Sequence, residues 1–317
     1  MLYETTQAAA DLENMAKDRA HASLEKDPSP VQELSILDIR SVAVTKDDPG
    51  NSWTLTFGCE GTSFVHEMTL SVQGILRMSD LPPVRGSREA LQRRVMSLQQ
   101  QVHIIGYDTE TFQSALWKFY DIYELFSRTV PGNALLPWDP VVFTEGVSIS
   151  AANRYFSRRR DVFHEEDIPF DDVVDPTGSL RDIQHNGIAR TADNEVKYFR
   201  CTEEKGTKSY HAVSPACFKI GDILDVQIGI IAVPVKDDKM KMLPKLRAIT
   251  LLSSKWTQDA NFKTAIAKVP RTTNRKAKRR RVGYTVDDQL DEDLQKTTVA
   301  VRRLSLHQSD VHASMVD

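Results

Sequence analysis

The chain has 317 residues, of which 40% are hydrophobic and 27% are charged, and its formal net charge is −3. This composition is ordinary for a globular protein, and the whole molecule lacks the positive charge typical of nucleic-acid binders. It contains no run of 18 apolar residues and no secretory signal before Lys26, so the sequence predicts a soluble, intracellular protein without a membrane span. Its three scattered cysteines, Cys59, Cys201 and Cys217, favour a reducing compartment over a disulfide framework.

The N-terminal part of the chain reads as a helix followed by strands. A polar, alanine-rich helix is predicted up to Asp27, where Pro28 and Pro30 end it. Alternating residues then predict three strands, over 34–44, 52–57 and 63–72, separated by glycines and turn residues. Together they predict an antiparallel β-meander.

Three helices are predicted after this meander. Ser87 is a good N-cap for a helix to about Val102. A second helix begins near Asp108, because its apolar residues recur every three or four positions. Ser148 or Ser150 is predicted to cap a third.

A second β-rich region follows an acidic, proline-containing stretch. Its strands are predicted over 194–201, 208–213, 223–235 and 240–252, which suggests a small barrel or sandwich. Such barrels bind oligonucleotides by stacking aromatic rings on bases. The candidate stacking residues are Tyr198, Phe199 and Tyr210, with Phe218 beside them, and a structural role in the core is the competing interpretation.

The predicted fold class is therefore α+β, with an N-terminal β-meander and packed helices, a small antiparallel β-barrel or sandwich, and a disordered basic tail. The predicted segments are, in chain order, an N-terminal helix or tail over 1–30, an α+β domain over 31–163, an acidic linker over 164–178, a β domain over 179–255 and a disordered tail over 256–317.

The strongest local motif is a basic run near the C-terminus. Seven of the eleven residues from Arg271 to Arg281 are Lys or Arg, which is typical of a nuclear-localisation signal read by an import receptor. A solvated tail without an address is the alternative, and the acidic residues over 287–293 disfavour strong DNA contact. The candidate signal residues are Arg275, Lys276, Lys278, Arg279, Arg280 and Arg281.

A second motif, Arg302-Arg303-Leu304-Ser305, resembles the substrate pattern of basophilic kinases. Phosphorylation of Ser305 would add about −1.5 to −2 charges beside the basic run. The pattern also occurs by chance, so Ser305 is a candidate site only.

Catalytic and cofactor motifs are not found in the sequence. There is no Walker A loop, dinucleotide fingerprint, G-x-S-x-G elbow or CxxC pair. The run from His164 to Asp167 has metal-ligating residue types, but acidic linkers usually have this composition. We therefore assign no catalytic, cofactor-binding or metal-binding residue, and a non-enzymatic role is favoured.

Three parts of the chain carry a resemblance: 175–199, 218–235 together with 246–252, and Leu116 to Phe143, which includes Leu136-Pro137-Trp138-Asp139-Pro140. They resemble predicted fungal proteins that occur in many copies in mushroom-forming fungi and have no assigned function. This resemblance covers about half of the chain and transfers no catalytic residue.

Three functions remain open from the sequence. The first is a nuclear or nucleocytoplasmic interaction or adaptor protein, associated with DNA or chromatin through the basic run. The second is a single-stranded nucleic-acid-binding module built on the second β region. The third is an enzyme of a type that no motif identifies.

Overall fold

The computed structural model describes residues 2–24, 31–47, 51–57, 66–204 and 206–268. The chain divides into two units, Met1–Val269 and Pro270–Asp317, and all of the described residues belong to the first unit. This unit mixes helices with a large sheet, so the α+β class is confirmed.

Helices and strands alternate irregularly along the first unit. The α-helices of the described residues are α1 (Thr5–Leu24), α2 (Arg88–Arg93), α3 (Glu110–Thr129), α4 (Ser179–Ile183) and α5 (Lys255–Lys268). Its strands are β1 (Val31–Glu33), β2 (Val42–Asp47), β3 (Ser52–Phe57), β4 (Thr69–Asp80), β5 (Gln99–Ile105), β6 (Val142–Phe143), β7 (Gly146–Arg154), β8 (Ser157–Arg158), β9 (Ile188–Ala189), β10 (Lys197–Glu204), β11 (Thr207–Ala212), β12 (Ile223–Pro234) and β13 (Met240–Ser253).

Five strands pair in a closed ring, in the order β4, β5, β7, β13, β12 and back to β4. Four of these pairings are antiparallel, and β7 pairs with β13 in parallel at Ala152 and Lys245. Alternate residues of the ring strands, such as Val72, Val102 and Ile149, belong to the main buried apolar cluster. Since side chains alternate along a strand, the intervening residues lie on the other face.

The other strands extend this ring. The β10–β11 hairpin continues the sheet beyond β13, and the β2–β3 hairpin continues it beyond β12. β1 adds to β4 and β6 adds to β7, while β8 and β9 form a separate two-stranded sheet. α1 packs on the sheet through Ala8 and Leu12, which share a buried cluster with Ile75, Ile223 and Trp256.

The structure joins the two regions that the sequence analysis separates at 164–178. β12 pairs on one side with β4 and β3 and on the other with β13, so strands of 31–163 and 179–255 share one sheet. A small barrel within 179–255 is not confirmed. The predicted three-strand meander is also interrupted, because β12 lies between β3 and β4.

Two of the predicted helices are wrong in extent or type. Ser87 does cap a helix, since its hydroxyl accepts a hydrogen bond from the Ala90 amide. α2 nevertheless ends at Arg93, and residues 99–105 form β5, which pairs with β4 on one side and β7 on the other. The third predicted helix is β7.

The ends of the described chain also differ from expectation. α1 is confirmed over Thr5–Leu24, and its predicted end near Asp27 lies outside the described residues. α5 occupies 255–268, although disorder was predicted from 256 onward. The second predicted helix is confirmed as α3, whose buried residues include Phe112, Phe119 and Phe126.

Candidate functional site

A cleft opens at the end of the ring where β4 and β7 finish and β5 and β12 begin. Its volume is about 390 Å³, within the range of small-molecule sites. The lining comes from the end of β4, the connection 81–98, the start of β5, Tyr155 and the segment 215–218 before β12. We call it the arginine cleft, after Arg85 and Arg94 at its edge.

The β4–β5 connection positions these arginines. Over residues 81–98 it carries four arginines and one glutamate. The Ser87 cap fixes the start of α2, and Leu91 is fully buried, which anchors the helix. Arg85 and Arg94 are exposed, and neither has an ion-pair partner within the described part of the chain.

The lining of the cleft carries two arginines, Arg85 and Arg94, and one carboxylate, Asp80, so its formal charge is positive. Arg154 lies directly across the ladder from Gln99, at the end of β7. An excess of positive charge in a cleft raises the local concentration of anionic ligands.

The surface of the arginine cleft is more polar than apolar. Leu81, Pro83 and Phe218 supply its apolar part, and the ring of Phe218 packs against Tyr198 at 6.0 Å between centroids. Tyr155 also contributes to the lining and is buried. Burial first, and then the carboxylates of Asp80 and Asp175, raise the pKa of Tyr155, so the phenol stays neutral.

A hydrogen-bonded row of side chains leads away from the cleft on the outer face of β5. The Gln99 amide nitrogen donates to the Gln101 oxygen over 3.0 Å, and the Gln101 amide nitrogen lies 2.8 Å from Nε2 of His103. On the neighbouring strand, the Ser150 hydroxyl lies 2.7 Å from Nδ1 of the same ring. We call these four residues the amide–imidazole row.

The ring of His103 contacts Gln101 through Nε2 and Ser150 through Nδ1. Reversing both amides and the Ser150 hydroxyl gives the same hydrogen bonds with the proton on the other ring nitrogen, so these contacts fit either neutral tautomer. Burial lowers the pKa of His103, which favours the neutral ring.

The predicted stacking residues lie in different environments. Tyr198 is buried, and its hydroxyl donates to the side-chain oxygen of Gln100, so its ring faces are occupied by the core. Phe199 is half-buried on β10. Tyr210 is 50% exposed on β11, outside the lining of the arginine cleft. Of the aromatic residues considered in the sequence, Phe218 is the one that lines the cleft.

Other predicted residues lie in the second unit. The six candidate nuclear-localisation residues from Arg275 to Arg281, and Ser305, are outside the described residues. In the former linker, Asp167 pairs with Arg159, and Asp175 accepts hydrogen bonds from the amides of Leu180 and Arg181 at the start of α4. These acidic residues therefore have structural partners.

A buried ionic cluster beneath α1 was missed by the sequence analysis. Arg19 of α1 lies 3.2 Å from the Glu33 carboxylate and 3.1 Å from that of Asp225, and Ser71 donates to Asp225. Burial, followed by the Asp225 charge, raises the pKa of Glu33 to about 8. Burial also raises the pKa of Asp225. No local motif marks this cluster, because its members come from α1, β1, β4 and β12.

The described residues contain no group of three or more His, Cys, Asp or Glu side chains that could hold a metal ion. None of the helices in this part of the chain has both the length and the apolar composition that a membrane crossing requires. Cys201 and Cys217 are free thiols, and burial raises the pKa of each. No protein-family model and no curated protein matches the chain.

Proposed function

We propose that this protein binds single-stranded nucleic acid in the arginine cleft. The observation that carries the proposal is the pair Arg85 and Arg94, exposed in the lining of a cleft that also contains Leu81, Pro83 and Phe218, and left without ion-pair partners in the described residues. Phosphates supply the charge that such arginines lack, and bases supply flat apolar faces for the cleft walls.

The strand order of the ring supports this proposal. In chain order the five ring strands are β4, β5, β7, β12 and β13. Around the ring they are arranged as the first, second, third, fifth and fourth of this series, and the parallel pairing joins the third (β7) to the fifth (β13). This is the arrangement of five-stranded Greek-key barrels that bind oligonucleotides, and their loop between the first two strands contributes to the site. The corresponding loop here is the arginine-bearing connection 81–98. We therefore propose that the ring is such a barrel.

The nuclear location is a second part of the proposal and rests on the sequence of the basic run. An exposed cluster of Lys and Arg is the feature that nuclear import receptors bind. Phosphorylation of Ser305 would lower the positive charge of this region, and it would weaken the binding of the basic run to an import receptor or to nucleic acid. The adaptor function rests on the same run, and it becomes the better account if the cleft binds no oligonucleotide.

The test measures binding by fluorescence anisotropy with a labelled 15-nucleotide single strand at about 50 mM salt, where phosphate contacts are strong. The background is the full chain with Arg275, Lys276, Lys278, Arg279, Arg280 and Arg281 replaced by alanine, so that the basic run does not dominate. In this background, Arg85→Ala with Arg94→Ala removes the cleft charges. Arg40→Ala with Arg128→Ala is the matched control, because both arginines are exposed and lie outside the cleft lining.

We expect the cleft variant to bind more weakly than the control and to lower the slope of log affinity against log salt by about 1.4, since each phosphate contact contributes about 0.7 for single strands. Equal affinity and equal slope in the two variants would remove the cleft from the account. The same six alanine substitutions in a fluorescent fusion are expected to abolish nuclear accumulation, and a fusion that stays nuclear would contradict the proposed address.

A further inference from the structure

An exposed turn between α4 and β9 carries the pair Asn186-Gly187. Asn186 is the one asparagine in the sequence that a glycine follows. Both residues are exposed to solvent. The turn is closed by a hydrogen bond of 3.0 Å from the Ile188 amide to the His185 carbonyl. The Asn186 side chain therefore lies at the surface, next to the backbone nitrogen of a glycine.

The chemistry of this pair follows from its covalent structure. A bond between the Gly187 nitrogen and Cγ of the Asn186 side chain closes a five-membered ring. The closure needs rotation only within Asn186, whose side chain is exposed. Because glycine has no Cβ, no side chain on the attacking residue hinders the approach. The pair therefore combines an accessible electrophile with an unhindered nitrogen.

His185 supplies the base that this ring closure needs. The Gly187 amide donates a hydrogen bond to Nδ1 of His185 over 3.1 Å, which is within the reach of a general base. A backbone N–H only donates, so Nδ1 carries no proton in this contact and its lone pair faces the hydrogen that must be removed. The imidazole is also exposed, so it exchanges protons with water.

We propose that Asn186 is a site of deamidation without an enzyme, and that His185 is the general base of this reaction. The Gly187 N–H proton passes to Nδ1 of His185 as the Gly187 nitrogen bonds to Cγ of Asn186. The bond between Cγ and the side-chain nitrogen then breaks, and ammonia leaves with the proton from the imidazolium. Water opens the cyclic imide at either of its two carbonyls, which gives aspartate or isoaspartate at position 186.

The product changes the start of the β8–β9 sheet. Both products add a negative charge, and isoaspartate also adds one carbon to the backbone immediately before Gly187. The Gly187 carbonyl accepts a hydrogen bond of 3.1 Å from the Arg159 amide, and Ile188 is the first residue of β9 that pairs with β8. The inference is independent of the proposed nucleic-acid binding, and it predicts a change in this small sheet as the protein ages.

The experiment incubates the full chain at neutral pH and follows the peptide that contains Asn186 by mass spectrometry. Replacement of NH₂ by OH raises the mass of this peptide, and chromatography separates its aspartate and isoaspartate forms. His185→Phe keeps a flat ring and removes the base. His211→Phe is the matched control, because His211 is an exposed histidine of β11.

We expect His185→Phe to slow the mass gain by at least about tenfold, which is below the roughly 10²–10⁴-fold that well-placed general bases contribute. His211→Phe is expected to leave the rate unchanged, and the melting temperatures of both variants verify that they fold. In concentrated guanidinium the contact of 3.1 Å is lost, so the rates of the original protein and the His185→Phe variant are expected to converge.

Three results would overturn the inference. The first is the lack of any mass gain at Asn186 in the folded original protein. The second is an equal rate in the folded original protein and the folded His185→Phe variant. The third is a difference between these two proteins that persists undiminished after unfolding, because such a difference would come from the local sequence and not from the position of the imidazole.

Discussion

The buried cluster of Arg19, Glu33 and Asp225 makes the stability of the fold depend on pH, and Glu33→Gln tests this dependence. Glu33 comes from β1 and is 4% exposed, so water screens it little. It faces Asp225 of β12 and Arg19 of α1, and Tyr210 of β11 reaches the same arginine. The Arg19 guanidinium pairs with both Glu33 and Asp225. When both carboxylates are ionised, these three side chains therefore carry a net negative charge in the interior.

The sign follows from the two pKa values of Glu33. Its pKa is about 8 in the folded protein, against 4.5 as the ordinary value. Between these values the folded chain binds more protons than the unfolded chain, so the free energy of unfolding falls as the pH rises. The contribution of the Glu33 proton is complete below about pH 4.5 and is lost as the pH rises to about 8. Integrated from pH 5 to pH 8, this loss amounts to about 3–4 kcal/mol.

Glutamine has the shape of the protonated carboxyl and cannot ionise. We expect the Glu33→Gln variant to gain about 3–4 kcal/mol relative to the original protein between pH 5 and pH 8. The assay is guanidinium unfolding followed by tryptophan fluorescence at each pH. Glu124→Gln on α3 is the control, because Glu124 pairs with Arg128 at the surface. A constant difference between the Glu33→Gln variant and the original protein across this pH range would refute the reasoning.

Two further predictions concern the stability of other parts of the structure. Gly229→Ala places a methyl group against the Glu67 carboxylate that pairs with Arg247, and thermal unfolding is expected to show a loss of about 1–3 kcal/mol. Trp256→Phe removes the hydrogen bond of 2.9 Å from the indole to Asp11, and guanidinium unfolding is expected to show a loss of about 1–3 kcal/mol; an unchanged midpoint would show that α5 does not secure α1 through this bond.

The sequence predicts the elements whose pattern is long and local. β12 and β13 are apolar runs separated by a polar turn, and α3 has a buried face that recurs every three or four residues. β5 was misread because Ser87 is a true helix cap, and nothing nearby shows that α2 is only one and a half turns long. The glutamines at the start of β5 also carry weak strand preference.

Pairing between distant strands is what the sequence does not reveal. The ring requires β12 to pair with β4, and no periodicity within either strand specifies its partner. The linker over 164–178 reads as a boundary because it is acidic and contains prolines, yet the sheet continues across it. A composition change marks a loop, and it does not show whether the flanking strands belong to separate domains.

The candidate site could not be predicted from the sequence for the same reason. Arg85 and Arg94 lie near a short helix, and scattered arginines in such a place are typical of a solvated surface. Their significance depends on Phe218 and Tyr155, which the fold brings to the same end of the ring. The amide–imidazole row draws on two strands, β5 and β7, and the predicted helices covered the start of β5 and part of β7.

The most direct test of the central claim is hydrogen–deuterium exchange by mass spectrometry on the full chain, with and without a saturating 15-nucleotide single strand. The account predicts that backbone amides over 79–99 and 215–218 exchange more slowly when the strand is bound. Protection confined to the basic run from Arg271 to Arg281, with exchange around the cleft unchanged, would contradict it.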